Sequence, residues 1–193
     1  MKNLETKKVI RKQFLQKRRD LSDALRKSYS QIICKNVSEH PFFQSANIVC
    51  CYLPFREEVD TTALIELAWK CGKQVLVPKV RSDQYMDFYI LHDFQELTSG
   101  YQGILEPQRP LEERIIVPDT KYVLMIFPGC TFDRFGNRMG YGKGYYDTYL
   151  EPYHRIHKMG LAYSVQCTEQ LPVEHHDIRV DVVMTELGDY RKG

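Results

Sequence analysis

Apolar positions along the chain follow two rhythms, and segments of each kind alternate. Over 7–19, Val9, Ile10, Phe14 and Leu15 recur at roughly helical spacing with cations between them, which predicts a basic amphipathic helix. In "LSDALRKSYSQIICKNVSEHP", Leu25, Tyr29, Ile32, Ile33 and Val37 share one face of a second helix, with Ser22 as N-cap and Pro41 as stop. "TTALIELAWKCG" (61–72) predicts a short helix that Gly72 ends, and "GYYDTYLEPY" the start of another. Between them lie apolar runs of strand length: "NIVCCYLP" (47–54), "QVLVP", "YMDFYIL", "YVLMIFPG" (122–129), "MGLAYS" and "VDVVMTE". The run at 122–129 is continuously apolar and stops at Pro-Gly, as a strand covered on both faces does.

Strands alternating with helices predict an α/β domain with a mainly parallel sheet. The 193 residues suit one domain. The stretch 93–121, rich in Gly, Pro and charge, reads as a long excursion with little regular structure.

Hydrophobic residues make up 43% and charged residues 27%, ordinary for a globular protein. The N-terminus is charged throughout with no apolar h-region, and "YVLMIF" is too short to cross a bilayer, so no membrane partner is expected. Six cysteines (34, 50, 51, 71, 130, 167) show no C-x-x-C spacing and read as reduced, buried thiols of a cytoplasmic protein. The net charge of +2 is uneven: residues 1–27 hold ten Lys or Arg against three Asp or Glu, which leaves −5 on the remainder. Such a segment suits a polyanionic partner, a nucleotide or a nucleic acid, or else forms a solvated helix face.

The densest chemistry lies in "FGNRMGYGKGYYD", where Gly136, Gly140, Gly142 and Gly144 alternate with Arg138 and Lys143 and Asp147 ends the run. The loop follows the strand at 122–129, and ligands of open α/β sheets bind beyond the carboxyl ends of the strands. Glycines let backbone N–H groups turn toward an anion, and the two cations add formal charge. The spacing matches neither the P-loop nor the dinucleotide fingerprint. From the residues alone, a phosphate cradle, a mobile surface loop and a nucleic-acid contact all remain open. "EHHD" (174–177) is not read as a zinc site, because His175 and His176 are adjacent and no third ligand is apparent. His154 and His157 read as surface residues.

"FDRFGNRMGYGKGYYD" resembles the signature of the 5-formyltetrahydrofolate cyclo-ligase (methenyltetrahydrofolate synthetase) family, approximately F-D-x-x-G-x-R-L-G-x-G-x-G-Y-Y-D, with Met139 for the usual Leu. "KKVIR" (7–11) is similar to the family's K-x-x-L-R, "YLPFREEVDT" to its strand followed by E-[V/I]-x-T, and "GLAYSVQ" and "LPVEHHDIRVDVVMTE" to its C-terminal part.

The resemblance implies a three-layer Rossmann-like domain, akin to the sugar-phosphate isomerase and CoA-transferase group. It implies ATP-dependent conversion of 5-formyltetrahydrofolate to 5,10-methenyltetrahydrofolate with magnesium as cofactor, by a monomer without a nucleic-acid partner. Lys7, Lys8, Val9, Ile10 and Arg11, on a basic helix of about residues 5–19, and Arg138, Met139, Gly140, Tyr141, Gly142, Lys143, Gly144, Tyr145 and Tyr146 would bind ATP, with Lys143 and Arg138 catalytic. Leu53 and Glu58, with Tyr141 to Tyr145, would contact the folate. Asp147 and Asp181 would hold the metal, with Asp177 a close alternative to Asp181. Tyr163 and Gln166 are further candidates for the cleft, and Asp133 for positioning the loop. The competing readings are a non-catalytic RNA or nucleotide binder and a phosphosugar isomerase that needs no ATP.

Overall fold

Helix α1 (Lys2–Arg19) is joined to α2 (Asp23–Glu39) by a tight turn in which the Ser22 side chain accepts a hydrogen bond from the Leu25 N–H, the predicted cap. Pro41 ends α2 as expected but also opens a single further turn, α3 (Pro41–Ser45), since proline is well suited to the first helical position. The structure, a computed structural model, describes residues 2–82, 85–174 and 177–192.

Then follow β1 (Ile48–Cys50), α4 (Thr62–Lys70), β2 (Gln74–Ser82) and β3 (Tyr85–Ile90). The excursion 93–121 contains a small hairpin, β4 (Leu97–Ser99) with β5 (Leu105–Pro107), so it is more regular than its composition suggests. Beyond it come β6 (Val123–Phe127), β7 (Thr131–Asp133), β8 (Arg138–Met139), α5 (Tyr145–Leu150), β9 (His157–Leu161), β10 (Cys167–Thr168), β11 (Val182–Thr185) and β12 (Gly188–Asp189).

Seven strands form the main sheet in the order β12-β11-β9-β6-β1-β2-β3. The five inner strands run parallel, and β3 and β12 are antiparallel edges. The expected mainly parallel α/β sheet is thus observed. From β1 the chain steps outward through β2 to β3, and from β6 it steps the other way through β9 and β11. The order therefore reverses between β1 and β6, and the crevice beyond their carboxyl ends is where such sheets take ligands.

Alternating side chains of β6 feed the two faces. Leu124 and Ile126 pack in one core with Ile33, Val37, Leu64 and Ile65 of α2 and α4. Val123, Met125 and Phe127 pack in the other with Phe88, Phe132 and Leu150. All five β6 residues are buried, as the unbroken apolar run requires.

Two details of the helices differ from the sequence reading. On α2 the buried row is Ser30, Ile33, Cys34 and Val37, while Leu25 and Ile32 face solvent. Ser30 belongs inside because its hydroxyl shares a 3.1 Å hydrogen bond with the Tyr163 phenol and accepts one from the Asp60 N–H. On α1 the inward stripe is Lys7, Arg11, Phe14 and Arg18, spaced four, three and four residues apart, and Val9 is exposed. Two turns of this helix face a polar cleft, so cations take positions where a core helix would carry leucines. All six cysteines are free thiols, but Cys71 is exposed and Cys167 only half-buried, so burial holds for four of them.

Candidate active site

A cleft of about 850 Å³ opens beyond the carboxyl ends of β1 and β6. Its walls come from the turn after β1, the glycine loop after β8, the first turns of α1, the segment after Pro172 and the tip of the 93–121 excursion.

The turn after β1 is pinned at both ends. The Thr61 hydroxyl donates to the Tyr52 carbonyl (2.8 Å), and the Tyr52 phenol donates to the Val59 carbonyl (2.9 Å). This brings Leu53, Phe55 and Glu58 to the cleft. The Glu58 carboxylate accepts the Phe55 N–H at 3.0 Å through Oε2 and the Tyr141 phenol at 2.6 Å through Oε1. Burial pushes its carboxyl above the ordinary value, against the pull of Tyr141 and of the Arg18 charge. A buried carboxylate with a cleft in front of it is equipped to receive N–H donors from a ligand.

The glycine loop is built on Asp133, which is fully buried at the end of β7. Oδ1 accepts the N–H groups of Phe135 and Asn137, and Oδ2 accepts the Asn137 side-chain amide and the Leu171 N–H, all at 2.8–2.9 Å. This matches its sequence assignment as the residue that positions the loop. Gly142 (φ +97°) and Gly144 (φ +72°) occupy backbone conformations that side chains disfavour, so the chain can double back into α5. The Arg11 guanidinium lies against Gly142, where a Cβ would come 3.4 Å from it, and its Nε donates to the Gly140 carbonyl at 2.9 Å.

Four cations line this end of the cleft: Lys7, Arg11, Arg138 and Lys143. Arg138 pairs with Asp147 at 3.0 Å, and Lys7 lies 3.2 Å from both Glu174 and Asp177. Lys143 is exposed on the loop. The structure thus gathers Lys7, Arg11 and residues 138–147 with Leu53 and Glu58 around one cavity. Lys8, Val9 and Ile10 do not line it, because they sit on the other flanks of α1.

Asp181 does not belong to this constellation. It sits exposed just ahead of β11, at the amino end of the parallel strands, where its Oδ2 accepts the Lys158 N–H. Asp177 lines the cleft in its place. Among the described residues, no cluster of three or more His, Cys, Asp or Glu could hold a metal by itself. The carboxylates that line the cleft near the glycine loop include Asp147, Asp177 and Glu174, and oxygen donors are the kind that a hard cation takes. His175 and His176 of "EHHD" lie outside the described residues. Of the other histidines, His154 is exposed, and His157 is half-buried with its ring stacked 3.7 Å from that of Phe42.

Tyr163 and Gln166 stand behind the cleft wall. Gln166 Nε2 donates to the carbonyls of Gly129 and Cys130, and the Tyr163 phenol donates to the Glu58 carbonyl at 3.2 Å. Both are buried and shape the loop bases. Sequence reasoning missed Glu174 and an apolar wall made by Pro78, Val80, Met86, Ile104 and Leu105 in the cleft, and Arg18 buried behind it. For Arg18 the signal was present: it lies seven residues beyond Arg11 and eleven beyond Lys7, on the same helix face. The apolar wall had none, since it combines β2, β3 and the excursion.

The excursion is fixed in place by pairing of Phe88 with Ile115, by Lys79 Nζ donating to the Arg109 carbonyl, and by buried Glu106 accepting the Val80 N–H. No helix of the described residues is long and apolar enough to cross a membrane.

A model of the 5-formyltetrahydrofolate cyclo-ligase family matches residues 3–186. A 5-formyltetrahydrofolate cyclo-ligase of Escherichia coli K12 is 32% identical, with 88% of this chain and 94% of the relative covered. One of Mus musculus is also 32% identical, with 93% of each covered. The solved structure of Aquifex aeolicus 5,10-methenyltetrahydrofolate synthetase superposes with a TM-score of 0.81 at 37% identity, covering 95% of this chain and 91% of that one. With the family's motif on the loop that borders its cleft and the family's sequence and fold along nearly its whole length, the chain is an enzyme belonging to the 5-formyltetrahydrofolate cyclo-ligase family.

Proposed function

We propose that the chain closes 5-formyltetrahydrofolate to 5,10-methenyltetrahydrofolate in an ATP-dependent reaction that releases ADP and phosphate. A formamide carbon is a poor electrophile and its oxygen a poor leaving group. Transfer of the γ-phosphoryl group to that oxygen makes the carbon iminium-like. N10 then attacks it, the N10 proton is lost, and phosphate departs with the former formyl oxygen. Such chemistry asks the protein chiefly for positioning and for charge to meet the phosphates.

Arg138 to Tyr146 would cradle the triphosphate, with Lys7 and Arg11 reaching it from α1. Lys143, the exposed cation of the loop, would meet the transferred group. Lys7 and Arg138 rest on carboxylates in the cleft, at Asp177 and Asp147, and phosphates would compete for both cations. Asp147 and Asp177, parted from those cations, would then hold magnesium, which when bound offsets the charge on the phosphate oxygens. Glu58 would accept N–H groups of the pterin, with Leu53, Phe55 and Met86 lining its apolar flanks.

The observation that carries this reading is the sharing of one cleft by the glycine loop, the Lys7–Arg11 face of α1 and the buried Glu58. The test is a spectroscopic assay of the methenyl product from 5-formyltetrahydrofolate, with ATP and magnesium each supplied or withheld. Product that requires both supports the reading. Product without ATP, or no product together with RNA binding that falls steeply with salt, contradicts it.

A further inference from the structure

Beneath the Glu58–Tyr141 pair lies a charge that the proposed reaction does not use. Arg18 is 1% exposed, one of the most buried large side chains in the protein, and it does not line the cleft. Its guanidinium sits 5.9 Å from the centre of the Tyr141 ring and 3.6 Å from the Glu57 carboxylate, and its buried Nε has no hydrogen-bond partner among the described residues. A cation withdrawn from water and incompletely satisfied is costly to keep unless it serves its neighbours.

We propose that Arg18 is a positioning residue for folate recognition: its buried guanidinium supplies the counter-charge to Glu58 and holds the Tyr141 phenol against that carboxylate. The inference rests on the reading of Glu58 as the carboxylate that receives the pterin.

The surroundings of Glu58 leave few other sources of positive charge. Facing it are Tyr141 from the glycine loop, Tyr52 at the base of its own turn, Cys130 after β6, Tyr146 on α5, Tyr163 after β9, and its neighbour Glu57. The four tyrosines and the thiol are neutral in the working range, since burial lifts each above its usual value, and Glu57 repels. The Arg18 charge pulls the Glu58 carboxyl down, against the lift that burial gives it. Burial works against the Arg18 charge, yet Tyr141 and Glu58 beside it raise its affinity for the proton, so the support is mutual. One helix, α1, therefore delivers Lys7 and Arg11 to one part of the site and Arg18 to the support of another.

The experiment compares wild type, Arg18→Met, Arg18→Lys, Glu58→Gln and the double variant Arg18→Met/Glu58→Gln. The readouts are KM for 5-formyltetrahydrofolate, KM for ATP, the pH profile of kcat/KM for the folate, and the unfolding midpoint. Arg18→Met is expected to raise the folate KM at least about tenfold, because it strands a buried carboxylate, while the ATP KM stays within about twofold. Its acid limb should move to higher pH, since Glu58 would take up a proton more readily. Arg18→Lys should recover part of both effects. If Arg18→Met alone does not fold, the double variant is expected to fold, because Glu58, the buried carboxylate, is gone and the Glu57 that remains is partly open to solvent. An unmoved acid limb, an equal rise in both KM values, or a double variant that fails to fold overturns the proposal. Absence of wild-type ATP-dependent turnover would instead overturn the functional reading beneath it.

Discussion

The phenol of Tyr141 donates a 2.6 Å hydrogen bond to Oε1 of Glu58, tying the glycine loop to the turn after β1. Under the proposed function these segments serve different substrates. The bond therefore links the nucleotide loop to the folate pocket, and a pterin that takes Oε1 must share it with Tyr141 or displace it. Tyr141→Phe should raise the folate KM by about tenfold to 100-fold, the usual worth of one hydrogen bond to a charged group. Steady-state kinetics with each substrate varied in turn would show this, and the dependence of one KM on the other substrate should weaken.

Glu58 gives the pH dependence its sign. Burial raises its carboxyl above the ordinary carboxylate value, and the charged form is the one that accepts pterin N–H groups. Folate kcat/KM should therefore fall as pH drops through that raised value. Glu58→Gln should lower kcat/KM at neutral pH and flatten the acid limb while sparing ATP binding. Equal loss of both affinities in binding titrations would mark a folding defect instead.

Lys143→Ala should reduce turnover by about 100-fold or more while leaving folate affinity within about twofold, because a cation facing a migrating phosphoryl group acts chiefly in the transition state. Single-turnover measurement separates the two quantities. Unchanged turnover would remove Lys143 from the chemistry.

Asp133 carries the loop and makes no contact with the cleft. Asp133→Ala removes the acceptor of four hydrogen bonds and strands buried donors, which should cost roughly 3 kcal/mol or more of stability by denaturant unfolding. A variant of wild-type stability would contradict the structural role.

How legible all this was in the sequence depends on what each residue answers to. The strand at 122–129 was plain because β6 is buried on both faces and so must be apolar throughout. The glycine loop was plain because a doubled-back backbone needs residues without side chains at Gly142 and Gly144. On α1 the apolar pattern singles out Val9, Ile10, Phe14 and Leu15, whereas that end of the helix turns Lys7 and Arg11 toward a cleft and leaves Val9 exposed. Asp177 and Asp181 could not be ranked from spacing, since both precede the last long strand. Four residues of extended chain span about 13 Å, enough to move a carboxylate from one end of the sheet to the other. The apolar wall from Val80, Met86 and Leu105 was invisible because its members are far apart in sequence and meet only when the excursion folds back on β2 and β3.

The proposed role of Asp177 beside Asp147 gives its own prediction. Asp177→Ala should raise the magnesium concentration needed for half-maximal turnover by about tenfold or more, as loss of one of two carboxylate contacts implies. Asp181→Ala should leave the magnesium requirement within about twofold. Magnesium titration at saturating ATP distinguishes the two, and the reverse ranking would return the assignment to Asp181.

The central claim, that residues 138–147 with Lys7 and Arg11 hold a nucleotide's phosphates beside the folate pocket, is tested most directly by a crystal structure with magnesium and a non-hydrolysable ATP analogue. The account predicts phosphate oxygens within hydrogen-bond distance of the glycine-loop N–H groups and of Lys143, with Arg138 drawn off Asp147. Phosphates bound elsewhere, with the Arg138–Asp147 pair intact and the loop unengaged, would contradict it.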